Sequence, residues 1–131
     1  MTILDTHSLV WLVSNPEKLS KKASGYLDRQ IKKGEILVSS ISVWEIYLLV
    51  KKGRLELSMD VGAWLGKVEQ LAFLQFVPID NTIAANSVML PGDLHEDPAD
   101  RMIVATAREY GAKLVTSDTR LLSYPHVQTV W

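Results

Sequence analysis

Apolar residues along this chain fall into two kinds of run. Short uninterrupted ones, Thr2-Ile3-Leu4, Ile36-Leu37-Val38 and Lys113-Leu114-Val115-Thr116, predict strands buried on both faces, as in a parallel sheet. Leu74 to Ile79 holds a weaker strand, interrupted by Pro78, and Val127 to Val130 a last one. The longer runs predict helices. Ser20 to Lys33 is amphipathic and Gly34 is a good C-terminal stop. Ile41 to Lys52 is stopped by Gly53, Val61 to Leu71 forms another helix, and Asn81 to Met89 precedes Pro91-Gly92. The clearest helix has Asp97 as N-cap, Pro98 at its first position and Gly111 at its end. Leu9 to Val13 is apolar all round and closes at Ser14-Asn15-Pro16.

Strands alternating with helices indicate an α/β domain with a mostly parallel sheet. The 131 residues suit a single domain spanning 1–131, long enough to bury a core without a disulfide or a structural zinc. There is no Cys, which excludes thiolate metal sites, disulfide scaffolds and cysteine nucleophiles. With 14 Lys+Arg against 15 Asp+Glu, bulk electrostatics would not hold a nucleic acid, although local cations and metal ions could meet phosphates. No apolar run approaches a membrane span, and the N-terminus lacks the pattern of a signal peptide, so a soluble cytoplasmic protein is expected.

Four acids have informative addresses. Asp5 follows the first strand and Asp118 the strand Lys113 to Thr116; Glu45 lies early in the helix after Ile36-Leu37-Val38; Asp100 lies in the first turn opened by Asp97-Pro98. In a parallel sheet, strand C-termini and the N-termini of the following helices share one edge, where open α/β sheets bind ligands. Asp5, Glu45, Asp100 and Asp118 are therefore expected to converge. Each also has a plainer reading. Glu45 could close a capping box with Ser42, although a helix beginning at Ser40 would leave it too deep to cap. Asp100 could complement the helix dipole, but Ile103, Val104 and Ala107 at i+3, i+4 and i+7 put it on the stripe that faces the sheet. Asp5 and Asp118 could be ordinary turn residues.

Carboxylates gathered within a few Å need either raised pKa values or a cation among them. Hard oxygen donors without Cys, and without His at a ligand spacing, select Mg²⁺ or Mn²⁺ over Zn²⁺. The chemistry that suits such a site is metal-assisted phosphodiester hydrolysis.

The ordered stretches Leu4-Asp5-Thr6-His7, Ser39-Ser40-Ile41-Ser42-Val43-Trp44-Glu45-Ile46, Asp97-Pro98-Ala99-Asp100-Arg101-Met102-Ile103-Val104-Ala105-Thr106-Ala107 and Leu114-Val115-Thr116-Ser117-Asp118 cover nearly the whole chain. In that order they resemble PIN-domain proteins, in particular the VapC-like toxins of bacterial type II toxin–antitoxin pairs. The resemblance implies a PIN-like three-layer α/β/α fold around a central, mostly parallel sheet. It implies a Mg²⁺- or Mn²⁺-dependent endoribonuclease acting on an RNA substrate, inhibited by a cognate antitoxin and often a homodimer. The family's acidic quartet carries over to Asp5, Glu45, Asp100 and Asp118 as catalytic, metal-holding residues. Asp97 competes with Asp100 for the third role. Thr6, Ser40 and Ser117 are candidates for orienting the ligating carboxylates or water. The alternative is a PIN module that binds RNA or a protein partner without cutting. A receiver-like phosphoacceptor would want a paired acid near the start and a Lys after a late strand. A haloacid-dehalogenase-like phosphatase would want Asp-x-Asp where this chain has Asp5-Thr6-His7.

Other residues attract attention with less reason. His7, beside Asp5, is expected to be structural or near the site. His95 and His126 fall in expected loops and read as solvated. Arg101 and Arg120 flank two of the acids and could contact phosphates or pair with carboxylates. Trp11, Trp44 and Trp64 read as core residues, with base stacking the alternative. The apolar Leu9 to Val13 could form a dimer contact or an antitoxin groove.

Overall fold

The computed structural model describes residues 1–131. Five strands, β1 (Thr2–Leu4), β2 (Ile36–Ser39), β3 (Leu74–Val77), β4 (Lys113–Val115) and β5 (Thr129–Val130), form one sheet in the order β3-β2-β1-β4-β5. Every neighbouring pair is parallel, with Ile3 beside Leu37 on one side and Leu114 on the other. The β3 strand ends at Val77, where Pro78 removes the next ladder donor.

Seven helices connect the strands: α1 (Thr6–Ser14), α2 (Lys21–Lys33), α3 (Ile41–Lys51), α4 (Val61–Glu69), α5 (Asn81–Val88), α6 (Pro98–Tyr110) and α7 (Thr119–Leu122). The short α7 had no periodicity to reveal it, since four residues make one turn. At the ends of α2 and α6, Gly34 (φ 72°) and Gly111 (φ 61°) adopt the left-handed conformation expected of helix stops.

The pleat sends alternate strand residues to two cores. Leu4, Ile36, Val38 and Val115 pack with Leu9, Leu27, Ile46 and Trp64 from α1 to α4. Ile3, Leu37 and Leu114 pack with Ile83, Ile103, Val104 and Leu121 from α5 to α7. These are the three layers expected, and the strand runs are uniform because both faces are covered. Trp64 is buried at 3% exposure, but Trp44, read from the sequence as core, is 53% exposed. It sits on the outer face of α3, next to the buried Ile46 stripe rather than on it. In the Leu9–Val13 run, Leu9 and Val10 are buried, and Trp11, Leu12 and Val13 are half-buried against the first core. No helix is long and apolar enough to cross a membrane.

Strand order decides where a site can form. From β1 the chain steps outward to β2 and β3, then returns to place β4 on the other side of β1. Between β1 and β4 the following segments therefore leave in opposite directions, and a crevice opens at the carboxyl ends of the strands.

Candidate active site

Asp5, directly after β1, enters that crevice. Its Oδ1 accepts a 2.9 Å hydrogen bond from the Ser8 amide, so it caps α1 while being only 7% exposed. Thr6 is buried and bonds the Ser42 hydroxyl at 2.9 Å, which ties the start of α1 to the start of α3. Because α3 opens at Ser40, Glu45 is too deep to cap, and the capping-box reading fails. Ser39 Oγ accepts from the Ile41 amide there instead.

The α6 terminus separates Asp97 from Asp100. Asp97 is exposed and its Oδ1 accepts from the Asp100 amide at 2.9 Å, an N-cap bond. Asp100 Oδ2 instead lies 2.7 Å from His95 Nε2, above the buried Ile103, Val104 and Ala107. After β4, Asp118 caps α7 through the Arg120 amide at 2.8 Å, and its carboxylate also receives the Arg120 guanidinium at 2.9 Å.

One pocket of about 370 Å³ gathers these groups, lined by Asp5, Thr6, Glu45, Asp97, Asp100, Ser117 and Asp118 together with His7, Trp11 and Arg120. Burial raises the pKa values of Asp5, Glu45 and Asp100. The charge of Asp100 raises Glu45 further, and that of Asp97 raises both Glu45 and Asp100. Asp118 goes the other way, lowered by the hydrogen bond from Arg120. Three acids in one crevice thus have only the Arg120 guanidinium as a fixed cation, and every lone-pair donor facing them is a hard oxygen or an imidazole nitrogen. This donor set fits a dication such as Mg²⁺ or Mn²⁺. In the conformation described, no three Asp, Glu or His side chains meet around one point as the ligands of a single ion.

The family model of the PIN domain matches residues 2–127, nearly the whole chain. The chain belongs to the PIN-domain family. Ribonuclease VapC22 of Mycobacterium tuberculosis is 39% identical over 98% of this chain and 97% of its own length. Among solved structures, VapBC2 from Rickettsia felis bound to a DNA fragment from its promoter superposes with a TM-score of 0.73 at 18% identity, covering 98% of this chain and 96% of that one. A toxin-antitoxin complex from Klebsiella pneumoniae gives a TM-score of 0.65 at 20% identity, covering 100% and 97%. At these identities the two structures speak to the fold.

Within this PIN domain, seven of the eight residues singled out from the sequence line the pocket, and Ser40 does not. His95 is the main correction. It is not a solvated loop residue: its side chain is 17% exposed and bonded to Asp100, and Nδ1 is buried without a partner. Arg101 explains how it is held there. Instead of pairing with a carboxylate, the Arg101 guanidinium bonds the carbonyls of Ser87 and Leu94, each at 2.8 Å, and that of Val88 at 3.1 Å. Tyr124 adds a bond to the Pro91 carbonyl. Together they clamp the loop that delivers His95. Nothing in the local pattern around His95 marks this, except that it lies five residues before a candidate acid. His126 is exposed, as read. His7 is exposed at the pocket rim, with its ring 5.8 Å from that of Trp11.

Proposed function

We propose that this chain is a divalent-metal-dependent endoribonuclease, the toxin of a type II toxin–antitoxin pair. The observation that carries the reading is the convergence of Asp5, Glu45, Asp100 and Asp118, from four separate segments, on one pocket at the β1–β4 switch. A ribonuclease 39% identical along nearly its full length supports the activity, and the solved toxin–antitoxin complex of the same fold supports a cognate antitoxin as partner.

In this reading Asp5, Glu45, Asp100 and Asp118 hold Mg²⁺ or Mn²⁺. When bound, such an ion lowers the pKa of an attacking water and offsets the charge that develops at phosphorus. The chain's own residues prepare the site. Asp5 is fixed by its cap on α1, and Asp100 is oriented by His95. Thr6, Ser117 and Asp97 stand around the ligands as orienting groups. Ser40 lies outside the lining, and its part is to start α3.

Incubation of the purified protein with total RNA tests the proposal. Cleavage with Mg²⁺ or Mn²⁺ that stops with a chelator and returns when the metal is restored is the expected result. Absence of metal-dependent cleavage would leave the non-catalytic module that binds RNA or a protein partner.

A further inference from the structure

Arg120 is the one permanent cation lining the acidic pocket, among five carboxylates. Its Nη2 lies 2.9 Å from Asp118 Oδ2 and 3.8 Å from Asp100 Oδ2, so one nitrogen faces two carboxylates from different segments. Its Nε adds a 3.2 Å bond to Asp118 Oδ1. These contacts occupy two of the four acids proposed as ligands, in the same conformation where no three acids meet around one point. The guanidinium therefore sits where positive charge is needed.

The contact is also built to be exchanged. The Arg120 side chain is 59% exposed, and an ion pair so open to water is weak. Its main chain does not need to move, because the Arg120 amide is tied separately to Asp118 Oδ1 at 2.8 Å. Only the side chain has to swing away.

We infer that Arg120 is the resident counter-ion of the site, holding Asp118 and Asp100 until a divalent cation arrives and competing with that cation for them. The inference rests on the metal-site reading above. A guanidinium satisfies each of these two carboxylates from the outside, whereas a small dication draws their oxygens to one centre, so the two cations cannot hold them at the same time.

Titration of the metal-free protein with Mn²⁺, following free Mn²⁺ by electron paramagnetic resonance, tests it without reference to activity. Arg120→Ala is expected to bind Mn²⁺ about two- to fivefold more tightly than wild type, the range of an exposed ion pair. Arg120→Lys keeps the charge and is expected to bind close to wild type. The gain in Arg120→Ala should shrink in high salt, which already screens the competing pair. Circular dichroism melts check the fold, and Ala retains the amide that Asp118 accepts from. Arg120→Ala binding no more tightly than wild type, or Arg120→Lys binding as tightly as Arg120→Ala, overturns the inference. Asp100→Asn keeps the two readings apart. If it leaves Mn²⁺ binding intact, the metal site itself is wrong; if it weakens binding while Arg120→Ala changes nothing, only the counter-ion role falls.

Discussion

The two ends of the parallel sheet are furnished with different side chains. At the carboxyl end, Asp5, Asp80, Asp97 and Asp118 cap the starts of α1, α5, α6 and α7. At the amino end, Lys32 and Lys33 close α2, Arg108 closes α6, and a groove lined by Lys22, Tyr26, Arg29 and Lys113 holds no carboxylate. A helix that directly follows a parallel strand starts at the carboxyl end, and the helix dipole favours acids at its start and cations at its finish. That polarity is not by itself a site. Asp80 accepts from the Ile83 amide at 2.8 Å much as Asp5 does from Ser8, yet it is exposed and lies outside the pocket. Position at the β1–β4 switch, together with burial, sets Asp5 apart.

The sharpest way to break this comparison is to replace both caps by Asn. Asn caps a helix about as well as Asp, so both folds should survive. Loss of a group supporting a metal ligand costs about 10–100-fold, so Asp5→Asn, which removes a proposed ligand, is expected to lower kcat/KM on a defined RNA by more than about 100-fold. Asp80→Asn should leave it unchanged. Equal effects of the two would put the site elsewhere.

The next effect is on pH dependence. Asp5, Glu45 and Asp100 have raised pKa values, so the native protein retains protons that the unfolded chain has already lost. Their contribution to stability is therefore lost as pH rises from the ordinary carboxylate range through the raised values. Asp118, lowered by Arg120, has the opposite sign and loses its contribution as pH falls through its depressed value. Melting curves in chelator should show the stability of wild type relative to Asp5→Asn declining over that rising-pH window. Mg²⁺ or Mn²⁺ should reverse the decline in wild type and do less for the variant.

Smaller effects separate neighbours. Asp97→Ala should cost about 1 kcal/mol of stability, the usual loss for an N-cap, measured by urea denaturation. Asp97→Asn should cost almost none of it. At the amino end, Lys22→Ala combined with Arg29→Ala should leave RNA cleavage close to wild type, since neither residue lines the acidic pocket, and each should change stability by no more than about 0.5 kcal/mol.

Much of this was readable in residue order. The strands, the Gly34 and Gly111 stops and the Asp97-Pro98 helix start are local patterns, and local patterns report burial and backbone angle directly. The acids could be placed at one edge because parallel topology fixes which ends of the elements are neighbours. Trp44 escaped this reading because α3 is apolar on nearly all sides, so period alone does not say which face meets the core.

The sequence by itself determined the class of fold, the Asp97 cap with the Gly34 and Gly111 stops, and the four acids that share an edge. Only the tertiary structure decided what those acids touch, His95 against Asp100 and Arg120 across Asp118 and Asp100, and that Arg101 holds loop carbonyls rather than a carboxylate. The physical reason is reach. Helix and strand periods fix the direction of a side chain relative to its own element, while contacts made from loops depend on where distant segments are anchored, which no local spacing records.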